Sequence, residues 1–141
     1  VASMECYGTH VATVAEVVRQ GDNLRCERMW VAVDPGIAVR PDQVQAQIVS
    51  GVITGLTGAL RNRITIRDGR VQETNFHQFE PLRMAQAPRI DVAIVASGGE
   101  PGGIGEVGTP LVAPALANAV ARLTGKRVRS LAFSAAGVAF V

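Results

Sequence analysis

Two β-branched runs separated by four turn-forming residues constrain the fold of this chain more than anything else in it. Residues 9–19 are rich in valine, threonine and alanine, and residues 24–34 form a second such run. Gln20-Gly21-Asp22-Asn23 between them supplies turn chemistry, so the pair is expected to form a long antiparallel hairpin. Simple alternation puts Cys26, Arg28 and Trp30 on one face of the second strand and Glu27, Met29 and Val31 on the other. Asp34-Pro35-Gly36 closes that strand.

Pro41, Asp42 and Gln43 then open a helical pattern, because proline suits a first turn and an acidic residue favours the positive end of the helix dipole. Val44, Ile48, Val52, Leu56 and Leu60 recur every four residues and make an apolar stripe that runs to about Leu60. Beside it lie Gln47, Gly51, Gly55 and Gly58. Each interior glycine costs a helix roughly 1 kcal/mol relative to alanine, so close approach of another backbone or of a ligand is expected on this face. Gln47 is placed to hydrogen-bond whatever lies there. Residues 63–71 read as a short hairpin turning at Asp68-Gly69, and residues 73–89 as irregular, with Pro81 and Pro88 barring long elements. Residues 90–96 read as a buried strand. Residues 98–110 hold six glycines, two glutamates and two prolines, and end where a second helical pattern, 111–123, begins. Thr109 is the expected cap of that helix, with Pro110 and Pro114 near its first turn and Thr124-Gly125 as its stop. The fold class expected is α+β in a single domain over residues 1–141: a long antiparallel hairpin and a mixed sheet with two packed helices.

Composition narrows the function. Hydrophobic residues make up 48% and aromatic ones 4%, so aliphatic side chains must build the core. The net charge of +2 comes from scattered Lys and Arg without aromatic interleaving, which argues against a nucleic-acid platform. No apolar stretch approaches the ~18–20 residues of a membrane span, and no signal-peptide pattern is present. Residue 1 is Val and the first residues already carry a strand pattern, so the chain is expected to be a fragment or a processed piece of something larger. In the expected hairpin Cys26 sits opposite residues near Val17, with Cys6 about eleven residues or ~36 Å further along, so both are expected to be free thiols. His10 and His77 have no Cys or carboxylate at ligand spacing and are expected to be satisfied structural histidines.

The glycine loop is the candidate site. Glycines let a ligand approach the main chain, and a helix start adds free N–H groups. A carboxylate held there, Glu106, can serve as a general base beside a bound cofactor, although most glycine- and proline-rich loops before helices are only connections, which is the reading the loop taken alone favours. The glycine spacing does not match Gly-x-Gly-x-x-Gly after a strand, no Gly-Lys-Ser/Thr follows, and no Gly-x-Ser-x-Gly occurs. Glu100 and Glu106 could pair, but nothing in their spacing sets a separation.

Several blocks resemble the C-terminal part of the large, molybdenum-cofactor-binding subunit of the xanthine dehydrogenase and aldehyde oxidase family, in its isoquinoline oxidoreductase and bacterial aldehyde dehydrogenase type. They are Val33-Asp34-Pro35-Gly36-Ile37-Ala38-Val39-Arg40-Pro41-Asp42-Gln43-Val44-Gln45-Ala46-Gln47-Ile48, then Gly51-Val52-Ile53-Thr54-Gly55-Leu56. Ile64-Thr65-Ile66-Arg67-Asp68-Gly69-Arg70-Val71 and Asn75-Phe76-His77 follow. The last blocks are Pro101-Gly102-Gly103-Ile104-Gly105-Glu106-Val107-Gly108-Thr109-Pro110 and Ala113-Pro114-Ala115-Leu116-Ala117-Asn118-Ala119. The resemblance covers nearly the whole chain in order. It implies part of a larger molybdopterin-binding domain in a molybdenum hydroxylase that oxidises an aldehyde or N-heterocycle with water as oxygen source. It implies Glu106 as the base that takes the proton of the attacking hydroxyl, Gln47 as the residue bonding the pterin, and Gly103, Ile104 and Gly105 as backbone bordering the cofactor.

The metal is then held by dithiolene sulfurs of a molybdenum–molybdopterin cofactor, for which the cytosine dinucleotide form is compatible, and by no residue of this chain. The implied partners are the remainder of the molybdenum subunit, an iron–sulfur subunit carrying 2Fe–2S clusters, and a cytochrome or other electron acceptor. Bacterial cytoplasm and periplasm both remain open. Ser50 and Arg40 depart from the family pattern, in which glycine or an acidic-glycine pair and asparagine are commoner. The alternative is a non-catalytic module of the same fold that stabilises a multi-subunit complex, and a third reading is a free-standing anion-binding domain.

Overall fold

The positive φ angles of Tyr7 (54°) and Gly8 (74°) reverse the chain between its first two strands. The computed structural model describes residues 1–141. Strand β1 (Ala2–Cys6) pairs antiparallel with β2 (Thr9–Gln20), Cys6 opposite Thr9. A second tight turn, with Gly21 at φ 61°, joins β2 to β3 (Asn23–Asp34), and Val17 faces Cys26 as the hairpin reading requires. The two cysteines are free. A parallel strand, β6 (Arg89–Ile94), adds to the far side of β3, giving a four-stranded mixed sheet in the order β1-β2-β3-β6. Helices α1 (Pro41–Leu60) and α2 (Val112–Thr124) pack on it, so the α+β expectation holds.

The simple alternation along β3 does not hold. Glu16 pairs with Arg28 and Val17 with Cys26, which leaves Glu27 without a partner, a β-bulge. The extra residue inverts the alternation, so Leu24 and Cys26 are buried on the same face as Met29, Val31 and Val33. Arg28 and Trp30 lie on the opposite, outer face, the guanidinium 4.7 Å from the indole ring.

Helix α1 spans the range its periodicity predicted. Ile48, Val52 and Leu56 are fully buried against the sheet and α2, each contributing about 1.5–3 kcal/mol of apolar burial. Its cap residue, Arg40, makes no side-chain cap and instead holds Asp42 in an exposed ion pair at 2.9 Å. Ser50 is exposed. Helix α2 ends at Gly125, whose φ of 75° suits the left-handed stop and whose N–H bonds Ala121. Thr109 does not cap α2. Leu111 occupies that position without a side-chain bond, and the Thr109 hydroxyl donates to the Gly51 carbonyl instead.

Between the helices, β4 (Ile66–Arg67) and β5 (Arg70–Val71) form the short hairpin, with Asp68 and Gly69 both at positive φ. The expected buried strand at 90–96 is β6, which is half-buried because it is an edge of the sheet, and Val95 beyond it is exposed. The chain end returns to the sheet, where Leu24 exchanges backbone hydrogen bonds with Ala139 and Val141. Both histidines are exposed and their side chains make no hydrogen bond, so they are surface residues and not satisfied structural ones, and no metal-binding cluster forms. No helix is long and apolar enough to cross a membrane.

Candidate functional site

The glycine loop leaves β6, crosses the end of the β1–β2 hairpin and runs beneath α1 before entering α2. Its start is tied at Asp34, where β3 ends. One oxygen of that carboxylate accepts from the Ser97 hydroxyl at 2.7 Å and from the Gly36 N–H at 3.0 Å, and these bonds hold its pKa below the ordinary value, Ser97 first. Gly36 has φ 73°, and a Cβ there would overlap the Glu100 carbonyl and lie 2.7 Å from that of Gly99, so glycine is required on both counts.

Further on, both peptide groups of Gly103 are taken by the β1–β2 turn. Its N–H donates to the Tyr7 carbonyl at 2.8 Å, and its carbonyl accepts from the Thr9 hydroxyl at 2.7 Å. Gly102 donates to Pro35 at 2.9 Å. From the other side, α1 contributes Gln47, whose Nε2 donates to the Gly105 carbonyl at 2.6 Å. The Glu106 carbonyl accepts from the Thr109 N–H at 2.9 Å. Val107 is fully buried and acts as an anchor, while a Cβ on Gly108 would stand 2.9 Å from the Ile48 carbonyl.

Two of the three helix glycines are explained by this approach. A Cβ on Gly51 would lie 3.2 Å from the backbone of Gly108, and one on Gly55 2.7 Å from the Thr109 carbonyl. Gly58 meets nothing within 4 Å and faces an open crevice.

The residues picked from the sequence therefore come together on two elements, α1 and the loop. Gln47, Ile104 and Gly105 line a groove of about 330 Å³ with Pro35, Ile37 and Val39. Gly103 faces the Tyr7 turn and Glu106 lies just beyond the groove, so neither lines it. Glu106 is exposed and its carboxylate makes no ion pair, and the N–H groups of Ile104, Gly105 and Glu106 donate to no acceptor in the chain. Thr9, Tyr7, Ser97 and Thr109 hold the loop and were not singled out from the sequence for this. Asp34 before Pro-Gly was a turn signal, whereas Thr9 carried no signal beyond strand propensity.

The family described as the molybdopterin cofactor-binding domain matches residues 2–88, more than half of the chain and short of the glutamate loop. Isoquinoline 1-oxidoreductase subunit beta of Brevundimonas diminuta is 43% identical over 124 residues, covering 86% of this chain and 16% of that protein. A membrane-bound aldehyde dehydrogenase of Gluconacetobacter polyoxogenes, named for pyrroloquinoline quinone, is 34% identical over 75% of this chain and 14% of its own length. The chain thus spans about a sixth of these curated relatives. Among solved structures, a Cu,Mo carbon monoxide dehydrogenase in its carbon-monoxide-reduced state superposes with a TM-score of 0.74 over 86% of this chain and 17% of that chain, at 16% identity. That likeness concerns the fold, and it is the same α+β arrangement. With a family match over more than half its residues, the chain belongs to the molybdopterin cofactor-binding domain family.

Proposed function

We propose that this chain, within the full protein, forms one wall of the cofactor site in a molybdenum hydroxylase and supplies its general base, Glu106. The observation that carries the reading is the contrast within one loop. The backbone is tied at Gly103, Gly105 and Glu106, while the Glu106 carboxylate and three neighbouring N–H groups have no partner in the chain. An exposed carboxylate without a partner is ordinary by itself; what suits a base is its place at the end of a backbone segment fixed on both sides.

The donor set fits a pterin cofactor. Gln47 uses one amide hydrogen on Gly105, and its second hydrogen and its oxygen are free to pair with the hydrogen-bonding edge of a heterocycle. The Ile104, Gly105 and Glu106 N–H groups suit acceptor atoms, and Gly105 has open space where a side chain would stand. When bound, the cofactor supplies the two-electron redox centre and the water-derived oxygen.

In this reading Glu106 would accept, at a carboxylate oxygen, the proton given up by the water-derived hydroxyl that the cofactor supplies. Gln47 holds the loop one residue before the base and bonds the pterin. The backbone of Ile104 and Gly105 forms the wall, Gly103 anchors it on the Tyr7 turn, and the exposed Ile37 and Val39 give the rim an apolar edge. The remainder of the molybdenum subunit completes the site. An iron–sulfur subunit carrying 2Fe–2S clusters, and a cytochrome or other acceptor, would be the partners that take up the electrons. Aldehydes and N-heterocycles are the substrate classes, in keeping with the names of the relatives. The quinone in the second name is not carried over, since the matching family is that of the molybdopterin domain.

Replacing Glu106 with Gln in the assembled enzyme tests the assignment. Turnover should fall about a hundredfold or more with molybdenum content and assembly intact. Because the family match stops at residue 88, before the loop, a non-catalytic module of the same fold is the second reading. Unchanged turnover in that variant would establish it.

A further inference from the structure

Thr9 and Thr13 are four residues apart on β2, face the same side of the sheet and are both fully buried, yet their hydroxyls behave differently. Thr13 Oγ1 has no hydrogen-bond partner. Thr9 Oγ1 reaches the carbonyl of Gly103, 94 residues away in the chain, at 2.7 Å. Valine would fill the same space without a hydroxyl to satisfy, and a buried hydroxyl left unpaired, as on Thr13, costs stability, so packing alone gives no reason for one on this face. The hydroxyl of Thr9 therefore has a use that packing does not supply.

The surrounding geometry indicates that use. Gly103 cannot move toward the turn, because a Cβ at its position would already lie 2.8 Å from Tyr7 Cβ, and a Cβ on Gly102 would overlap the Thr9 hydroxyl itself. Nor can the two peptide groups flanking Gly103 rotate while its N–H is bound to Tyr7 and its carbonyl to Thr9. Downstream, Gln47 grips Gly105 and the Thr109 N–H grips the Glu106 carbonyl. The segment from Gly103 to Glu106 is thus held at both ends, and Thr9 is the one side chain that holds its upstream end.

The geometry points to Thr9 as a positioning residue for Glu106. Through Gly103 it sets the path of Ile104 and Gly105, which precede the carboxylate and line the groove. This rests on the proposed role of Glu106 and deepens it by adding a residue on another element that fixes where the base stands. Geometry of this kind matters because small displacements of a catalytic group cost large factors in rate.

The test uses the assembled holoenzyme with Thr9→Val, Thr9→Ser, Thr13→Val and Glu106→Gln. Valine keeps the shape of threonine and leaves the Gly103 carbonyl without its donor. Amide hydrogen exchange at Gly102 and Gly103, whose N–H groups are bonded to Pro35 and Tyr7, should rise about tenfold in Thr9→Val, as expected for loss of one hydrogen bond, with α2 and β3 unchanged. Its kcat should fall about tenfold with KM and molybdenum content unchanged. Thr9→Ser should restore both, and Thr13→Val should match the parent in both.

Parent-like loop exchange and kcat in Thr9→Val would overturn the inference. So would the same losses in Thr13→Val, or no rescue by serine, since the effect would then belong to the strand. Should the valine variant fail to assemble, Thr9→Ala is read against Thr9→Ser in the same way. Full turnover in Glu106→Gln would remove the base assignment and with it the positioning of a base. Loss there with parent-like Thr9→Val would remove only the role of Thr9.

Discussion

At the scale of single residues, burial and hydrogen bonding divide groups that composition treats alike. Cys26 is buried, and its thiol is pushed up to about 12, first by desolvation and then by the charge of Glu27, whereas Cys6 on β1 is half-buried. Alkylation of the folded protein at pH 8 should leave Cys26 unmodified until denaturant is added, because the thiolate is the reactive form. Modification of Cys26 in native protein, read by mass spectrometry, would contradict that burial. The carboxylates of Asp34, Asp42, Glu73 and Asp91 are all held below their ordinary values, Asp34 by Ser97, Asp42 by Arg40, Glu73 by the Thr65 backbone and Asp91 by Arg28. The folded state thus binds fewer protons than the unfolded chain. The stabilisation is fully present above the unfolded value, 3.8 for aspartate, and is lost as pH falls through the lowered folded values. The urea midpoint should hold from pH 7 to about pH 5 and fall below about pH 4, less steeply in Asp34→Asn.

At the scale of elements, α1 shows what its glycines are for. Gly51 and Gly55 let the loop backbone pass against the helix, and Gly58 does not. A methyl on Gly55 would meet Val112 Cγ2 and the Thr109 carbonyl, both at 2.7 Å, so Gly55→Ala should lower the thermal midpoint and loosen the junction of α1 and α2. Gly58→Ala has free space and should raise stability by roughly 0.5–1 kcal/mol through helix propensity and a less flexible unfolded chain. Thermal unfolding of the two variants side by side decides it, and a loss in Gly58→Ala equal to that in Gly55→Ala would refute the distinction. The periodicity of residues 41–60 made all three glycines equally noticeable. Which of them touch the loop depends on a segment some fifty residues further along, so no window around the helix could have separated them.

At the scale of the whole molecule, the groove is open on one side and its rim carries exposed Ile37 and Val39, while Phe76 and Met84 are more than 90% exposed on the segment between β5 and β6. The chain spans about a sixth of its curated relatives, so most of the polypeptide that would cover such surfaces in them lies beyond these residues. The isolated chain should associate with itself in sedimentation as its concentration rises, and should retain no molybdenum after desalting. A monomeric chain carrying near-stoichiometric metal would show instead that one wall suffices.

The sequence by itself determined the local architecture. The turns at Gly21 and Asp68-Gly69, the extent of α1 and the stop of α2 at Gly125 all follow from residues within a few positions of each other, because backbone preference and periodicity are short-range properties. It also placed Gln47, Gly103, Ile104, Gly105 and Glu106 in one candidate site through resemblance to a family. Only the tertiary structure decided how that site is held. The bulge at Glu27 sends Cys26 into the core, the Thr109 hydroxyl leaves its helix for Gly51, and the Thr9 hydroxyl crosses 94 residues to Gly103. Each outcome is a choice among partners made by packing, since a buried polar group bonds whatever acceptor the fold brings within reach, and that acceptor is far away in the chain.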